Sequence, residues 1–434
     1  MMLCREFRFC LFSALVLMPH LTFSATDTWI STSSSDLNTA GNWSPTGVPL
    51  SSDEALFDSA IPNINLNPTA STDFAIDSFT FDNSAKAFTF TFNNCLLTFN
   101  GTGIAGAPTD TTIISNNINN VTALSNPQVL FNSATTLGSA NLLITNSGEV
   151  SGPVSGVSSS YIMQRQLYCP NAFSMLDGGQ LSSVNIGVDS STGGGGNNIG
   201  STGFYQQMHF GSTFTAGNNV SISASNMGTY SGSMNGSNSN VGYVGNPQFQ
   251  VQGAMIVGNH YTYTAVNRGA DSSADSAPSN IGYAGDYQQE LDSSFTAGDY
   301  LTFSMSNEGT KSGNTPNSFV GYCDTQSYIG GSFSCGDFFN FTASNTGTNT
   351  GSGASNQIGV ISDPQVVFGV SFRARNNATI VISNTGTDTG GSSSNTTGVI
   401  NGSQFSVGGG SDSSQWASNH CDKLRKWKRR LGRK

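Results

Sequence analysis

Between residues 220 and 382 the chain alternates apolar and polar side chains in short bursts. Val220, Ile222 and Ala224 are separated by Ser221 and Ser223. Tyr261, Tyr263 and Ala265 repeat the arrangement, as do Leu301, Phe303 and Met305, then Phe339, Phe341 and Ala343, then Ala378, Ile380 and Ile382. Successive side chains on an extended strand point to opposite faces, so this period of two predicts strands with one buried and one wet face. Each burst runs into Asn-x-Gly, at Asn226 and Gly228, Asn267 and Gly269, Asn307 and Gly309, Asn345 and Gly347, and Asn384 and Gly386. That triplet predicts a turn, because Asn tolerates the left-handed backbone region and Gly enters it freely. A stretch of Gly, Ser, Thr and Asn follows, and then Ile199, Val241, Ile281, Val320 or Ile358, each before a Gly, opens a further short strand.

These bursts belong to a longer repeat. Glutamine marks it at Gln128, Gln166, Gln207, Gln248, Gln289, Gln326, Gln365 and Gln404, at intervals of 37 to 41 residues. Downstream of the Gln come an apolar column at Phe214, Met255, Phe295, Phe333 and Phe372, and a Gly at Gly217, Gly258, Gly298 and Gly336, with Arg375 in the seventh unit. The second unit, around Gly178 to Ser190, departs most from the pattern.

One unit cannot bury its own apolar face, but stacked units lay strand on strand about 4.8 Å apart and share a core. The sequence therefore predicts an all-β protein, a β-solenoid read as a right-handed parallel β-helix, of about eight units of about 40 residues. The Phe column is placed inside and the Asn column at a corner, where amides bond from rung to rung. The Gly- and Ser-rich stretches are placed in loops projecting from one edge. One or two coils per unit remain open. A β-propeller is the architectural rival, but it needs four strands per unit and its signature dipeptides are absent.

The segments around the repeat have their own character. Arg5 and Arg8, an apolar run from Phe9 to Met18 and the small residues before Ala25 predict a secretory signal peptide over 1–24. Residues 25–120 lack the repeat and are assigned to an amino-terminal cap, 121–410 to the solenoid and 411–434 to a disordered basic tail. In the cap segment stand Trp29, Asn42-Trp43, Gly47, Pro49, Asp53, Ala55, Phe57 and Leu97-Thr98-Phe99-Asn100-Gly101-Thr102-Gly103-Ile104. In that order these residues resemble the amino-terminal start of passenger domains from bacterial autotransporters and related secreted β-strand-repeat proteins of Gram-negative bacteria. The resemblance implies a secreted or cell-surface β-helix, exported through a carboxy-terminal barrel. No barrel-like series of alternating strands follows Gly410. A truncated passenger whose reading frame changes near the end is therefore the expectation, another export route being the alternative. Without a barrel supplied elsewhere, the expected location is the periplasm.

Charge sharpens this reading. Residues 25–410 hold 23 acidic and six basic residues, a net charge of −17, whereas the last dozen residues hold eight basic ones. An acidic body repels nucleic acid and anionic lipid, so no nucleic-acid partner is expected, and any such binding belongs to the tail around Trp427. No stretch after the leader is apolar enough for a transmembrane helix. Cys95, Cys169, Cys323, Cys335 and Cys421 are too few and too scattered for a disulfide framework. Cys323 and Cys335 either bridge neighbouring segments or are buried separately.

Candidate chemistry is sparse. Arg373 and Arg375 on one strand, with Asp363 upstream, form the one arrangement suited to an acidic polysaccharide, and a solvated strand face is the plainer reading. His209, His260 and His420 occupy non-equivalent places. Asp286, Asp324 and Asp363 recur at unit starts and Asp299 and Asp337 after the repeat glycine, so stacked oxygens could take calcium. Asn at Asn126, Asn246, Asn218 and Asn259 in equivalent places argues instead for a turn preference. No residue is assigned a catalytic or cofactor-binding role, no cofactor is expected and the metal assignment stays open. The expected function is a non-enzymatic secreted or surface structural and adhesion protein, with host or surface glycans or proteins as partners and an unspecified oligomeric state. A β-helix lyase or hydrolase acting on polysaccharide is the alternative.

Overall fold

The computed structural model describes residues 24–408, apart from positions 59, 83–84, 109, 119–125, 154–157, 193–197, 204, 233–238, 274–278, 315–316, 354, 392–393 and 402. Residues 1–23 of the segment assigned to a signal peptide, and the basic tail with His420, Cys421 and Trp427, lie outside the described residues. So do most of the Gly- and Ser-rich stretches assigned to projecting loops.

The chain winds through three parallel sheets of 20, 10 and 7 strands. A representative rung uses Phe249–Val251 and Met255–Val257 in the first sheet, Thr262–Asp271 in the second and Ser279–Ala284 in the third. It returns to the first sheet at Gln289–Leu291, directly beside its own starting strand. Each repeat is thus one coil, and the fold is the β-solenoid the alternation predicts. Seven strands in the third sheet are separated by six steps, so the solenoid makes about six turns rather than eight. The difference arises at the end, where the Gln404 unit contributes only Phe405–Val407 in the described residues. With the shorter rungs at the start included, twelve strands stack one on the next in the first sheet, and at about 4.8 Å per step the stack is roughly 50 Å long.

Inward positions repeat from rung to rung. Phe173, Phe214, Met255, Phe295, Phe333 and Phe372 lie in register in the first sheet, and neighbouring rings stack, with Phe295 and Phe333 at 5.1 Å. The long strands face this column with Ile222, Tyr263, Phe303, Phe341 and Ile380.

Two rows of amides run through the same interior. Asn117, Asn146, Asn185, Asn226, Asn267, Asn307, Asn345 and Asn384 each donate from Nδ2 to Oδ1 of the next, at 2.7–3.0 Å. Beside them, Gln166, Gln207, Gln248, Gln288, Gln326 and Gln365 donate back to the preceding Gln in a row that begins at Gln128. Each Gln also donates to the carbonyl just before a ladder Asn, as Gln248 does to Val266 and Gln326 to Ser344. A buried amide without partners costs about 1–3 kcal/mol, and these rows satisfy one another.

Four sequence expectations are corrected here. Gln288, not Gln289, holds the place in the row, while Gln289 pairs in register with Phe249 and Ser327. The Asn column runs within the long strands rather than at a corner and is buried from Asn146 to Asn345, and Asn-x-Gly is not a turn, since Asn226 and Gly228 both lie within Ser221–Tyr230. The Gly is there for space: a methyl group on Gly269 would collide with the Gly282 amide nitrogen and the Val241 carbonyl oxygen of the third sheet. Gly282 has φ +55. The second unit is also regular, because Gln180–Ser191 pairs in full register with Ser221–Tyr230 and carries Asn185 and Gly187 in the equivalent places.

The first rungs are shorter. Glu54–Phe57, Phe74–Phe81 and Leu97–Ala105 stack in the first sheet at intervals of about 24 residues, with Thr69–Ala70, Thr89–Asn93 and Thr112–Asn117 in the second. Trp43–Ser44 pairs antiparallel with Thr26–Trp29 as a two-residue outermost strand, which leaves little edge for another chain to extend. Trp29 and Trp43 are buried with ring centroids 5.2 Å apart, and their indoles donate to Asn65 O and Leu37 O. The motif residues therefore close an end and pack it. Cys95, Cys169, Cys323 and Cys335 are all free thiols, so Cys323 and Cys335 do not bridge.

Candidate functional site

One outward line does not repeat as the buried amide rows do. In the first sheet the middle residue of each three-residue strand points out, and the register runs Tyr168, His209, Gln250, Glu290, Tyr328, Val367. Successive rungs thus place an aromatic ring, an imidazole, an amide, a carboxyl and a second ring in one line along the solenoid axis.

These side chains hold one another. The Arg165 guanidinium lies 4.3 Å from the Tyr168 ring centroid and 4.7 Å from that of Tyr205, close enough for cation–π attraction. Its Nε donates to Gln206 Oε1 at 3.3 Å, and the same oxygen is 3.0 Å from His209 Nδ1. Gln250 is 7% exposed and donates from Nε2 to Glu290 Oε2 at 2.7 Å and to Asp292 Oδ2 at 3.3 Å, while its Oε1 has no partner of hydrogen-bond geometry. Tyr287 stacks on Tyr328 at 5.2 Å beside the carboxyls.

The line is electrostatically graded. Burial, assisted by the Arg165 charge, pulls the His209 imidazole down to about 4, so the ring is neutral at pH 7. Burial, and then Asp292 beside it, push Glu290 up to about 7, and burial raises Asp292 as well. Ionising Glu290 beside Asp292 brings two like charges together, which is costly. Asp286 is also raised, by burial and then by Asp324.

Two other outward aromatic rows exist. Tyr243, Tyr283 and Tyr322 stack on the third sheet at 5.3 and 4.8 Å. His260, Tyr300 and Phe338 stack at 4.4 and 4.7 Å where the chain leaves the first sheet, all three with φ of 55 to 61. Asn219 and Asn377 hold the same left-handed conformation on the flanking rungs. Asp286 and Asp324 lie beside the first of these rows, but neither row holds the run of guanidinium, imidazole, amide and carboxyl found along the first sheet.

The residues singled out from the sequence are not assembled into a site. Arg373 and Arg375 are exposed, and Arg375 Nε approaches Asp337 Oδ1 at 3.9 Å; no interaction joins either to Asp363, which sits by Asp324 and Tyr322. The oxygens beside the repeat glycine, considered for calcium, have another task. Asp177, Asn218, Asn259 and Asp299 each accept the backbone N–H of the next rung, from Asn218, Asn259, Asp299 and Asp337, at 2.7–2.9 Å. An amide oxygen does this as well as a carboxylate, which explains the mixture of Asp and Asn. Among the described residues no group of three or more His, Cys, Asp or Glu is placed to hold a metal ion.

Sequence reasoning missed Gln250, Glu290 and Asp292. Their signal was an acidic pair two apart, on the outer face of a strand too short to show alternation. No known protein family, curated protein or solved structure matches the chain.

Proposed function

We propose that this protein is an exported, surface-associated scaffold for adhesion or display, built as autotransporter passengers are. The observation that carries the reading is the contrast between faces. The two buried amide rows repeat residue for residue, Asn on Asn and Gln on Gln, whereas the outward line changes identity at each rung from Tyr168 to Val367. A rod with a uniform interior and a varied flank suits presentation of side chains to a partner. The leader-like start over residues 1–24 and the acidic body support export, and no helix among the described residues is long and apolar enough to cross a membrane.

The test is expression of the full chain in a Gram-negative host, followed by fractionation and protease treatment of intact cells. A processed chain outside the inner membrane is expected, and an unprocessed cytoplasmic chain would overturn export. A polysaccharide-cleaving enzyme is the second reading, favoured by the paired carboxyls of Glu290 and Asp292. Release of reducing ends from a glycan by purified protein, abolished in Glu290→Gln, would establish the enzyme instead.

A further inference from the structure

We infer that the line from Arg165 through Tyr168, His209, Gln250 and Glu290 to Tyr328 is a binding lane for an uncharged polysaccharide lying along the solenoid axis. This gives the display scaffold its ligand class, and so rests on that reading. The lane spans five rungs, four steps of about 4.8 Å or about 19 Å in all, long enough for several sugar rings end to end.

Three observations point to this ligand. The first is the inventory of groups: sugar hydroxyls both donate and accept, and the lane offers guanidinium and phenol donors together with amide and carboxyl acceptors at successive rungs. Tyr168, Tyr205, Tyr287 and Tyr328 add rings on which the C–H face of a pyranose can rest, and Tyr205 is 37% exposed. The second is a prearranged polar cluster. Gln250 stands at the centre of the lane with its amide nitrogen engaged by both carboxyls and its side chain against the His209 imidazole, so imidazole, amide and carboxyls are held in fixed positions before any ligand arrives.

The third is charge. Arg165 stands at one end and Glu290, Asp292 and Asp286 at the other. A polyanion meets the carboxyls and an acidic body of net charge −17 over residues 25–410, and a polycation meets Arg165. An uncharged chain is tolerated along the whole length. The acidic polysaccharide considered for Arg373 and Arg375 does not suit this face.

Affinity electrophoresis and calorimetry of the purified full chain test the lane, with a soluble β-glucan, xylan and mannan as neutral probes. Polygalacturonate and chitosan serve as the anionic and cationic comparisons. The expected result is binding of at least one neutral polymer that changes less than threefold between 50 and 500 mM salt. Gln250→Ala and Tyr168→Ala should weaken it at least tenfold, with unchanged circular dichroism. Glu290→Gln, which keeps the shape, should weaken it less than Gln250→Ala, and Arg268→Ala on the second sheet should leave it unchanged. Binding of no neutral polymer, binding of a charged polymer alone, or equal binding by all variants would overturn the lane. Should Gln250→Ala fail to fold, Tyr328→Ala at the lane's end carries the same expectation. Export with no glycan binding overturns the lane and leaves the scaffold reading standing, whereas glycan binding by a chain that is never exported does the reverse.

Discussion

Asn267 shows what each ladder residue contributes. It accepts from Asn226 Nδ2 at 2.9 Å and donates to Asn307 Oδ1 at 2.8 Å and to Tyr283 O at 3.2 Å, all out of contact with water. Asn267→Ala would strand a buried acceptor on Asn307 and weaken the hold on Asn226, so a loss of about 2–4 kcal/mol is expected in urea unfolding. The adjacent Arg268→Ala should cost no more than about 1 kcal/mol, because its 2.7 Å pairing with Glu308 is exposed. Equal losses would mean that the amide row is not the internal support described above. Glu290 gives a pH dependence. Its folded pKa, about 7, lies above the ordinary 4.5, so the stability it contributes is complete below pH 4.5 and is lost as pH rises through 7. Asp292 and Asp286 are raised in the same direction, Tyr287 faces the group, and Gln250 opposes by donating to the ionised form. Melting temperatures of Glu290→Gln between pH 4 and 8 should fall less steeply than those of the unaltered chain. Parallel curves would show that Glu290 does not titrate in that window.

At the scale of strands, the close approach of the second and third sheets is held by glycine. Gly187, Gly228, Gly269, Gly309, Gly347 and Gly386 each face backbone of the third sheet with no room for a methyl group. Gly269→Ala must push two strands apart, and a cost at or above the usual overpacking range of about 1–3 kcal/mol is expected by denaturant unfolding. Gly178→Ala, where nothing lies within 4 Å but φ is +77, should cost less, through backbone strain alone. This close approach also explains what the sequence did and did not disclose. Alternation at Leu301, Phe303 and Met305 was legible because inward and outward faces differ in polarity. Asn-x-Gly was misread because local turn preference and a long-range need for space select the same residue. Gln288 was missed because the neighbouring Gln289 offers the same side chain, and only pairing between strands tells them apart. The lane was illegible for a related reason: Tyr168, His209, Gln250, Glu290 and Tyr328 share no residue type, and what unites them is a register that no local window contains.

For the whole molecule, stability is a sum over rungs and the interfaces between them, with the Trp29 and Trp43 packing closing one end. The solenoid's uniform interior sets the spacing of its varied flank, so the functional reading depends on one coil per repeat in the register described. Oxidative cross-linking tests that register most directly. Ile256 and Thr296 are outward neighbours on adjacent rungs of the first sheet, the sheet that carries the lane, and both are exposed. Opposed residues on paired strands are near enough for a disulfide, whereas residues two rungs apart are about 9.6 Å distant and are not. The double variant Ile256→Cys with Thr296→Cys should form an intramolecular disulfide under mild oxidation, and Ile256→Cys with Ser334→Cys should not. Failure of the first pair to cross-link while the second does would contradict the solenoid register and, with it, the lane built on that register.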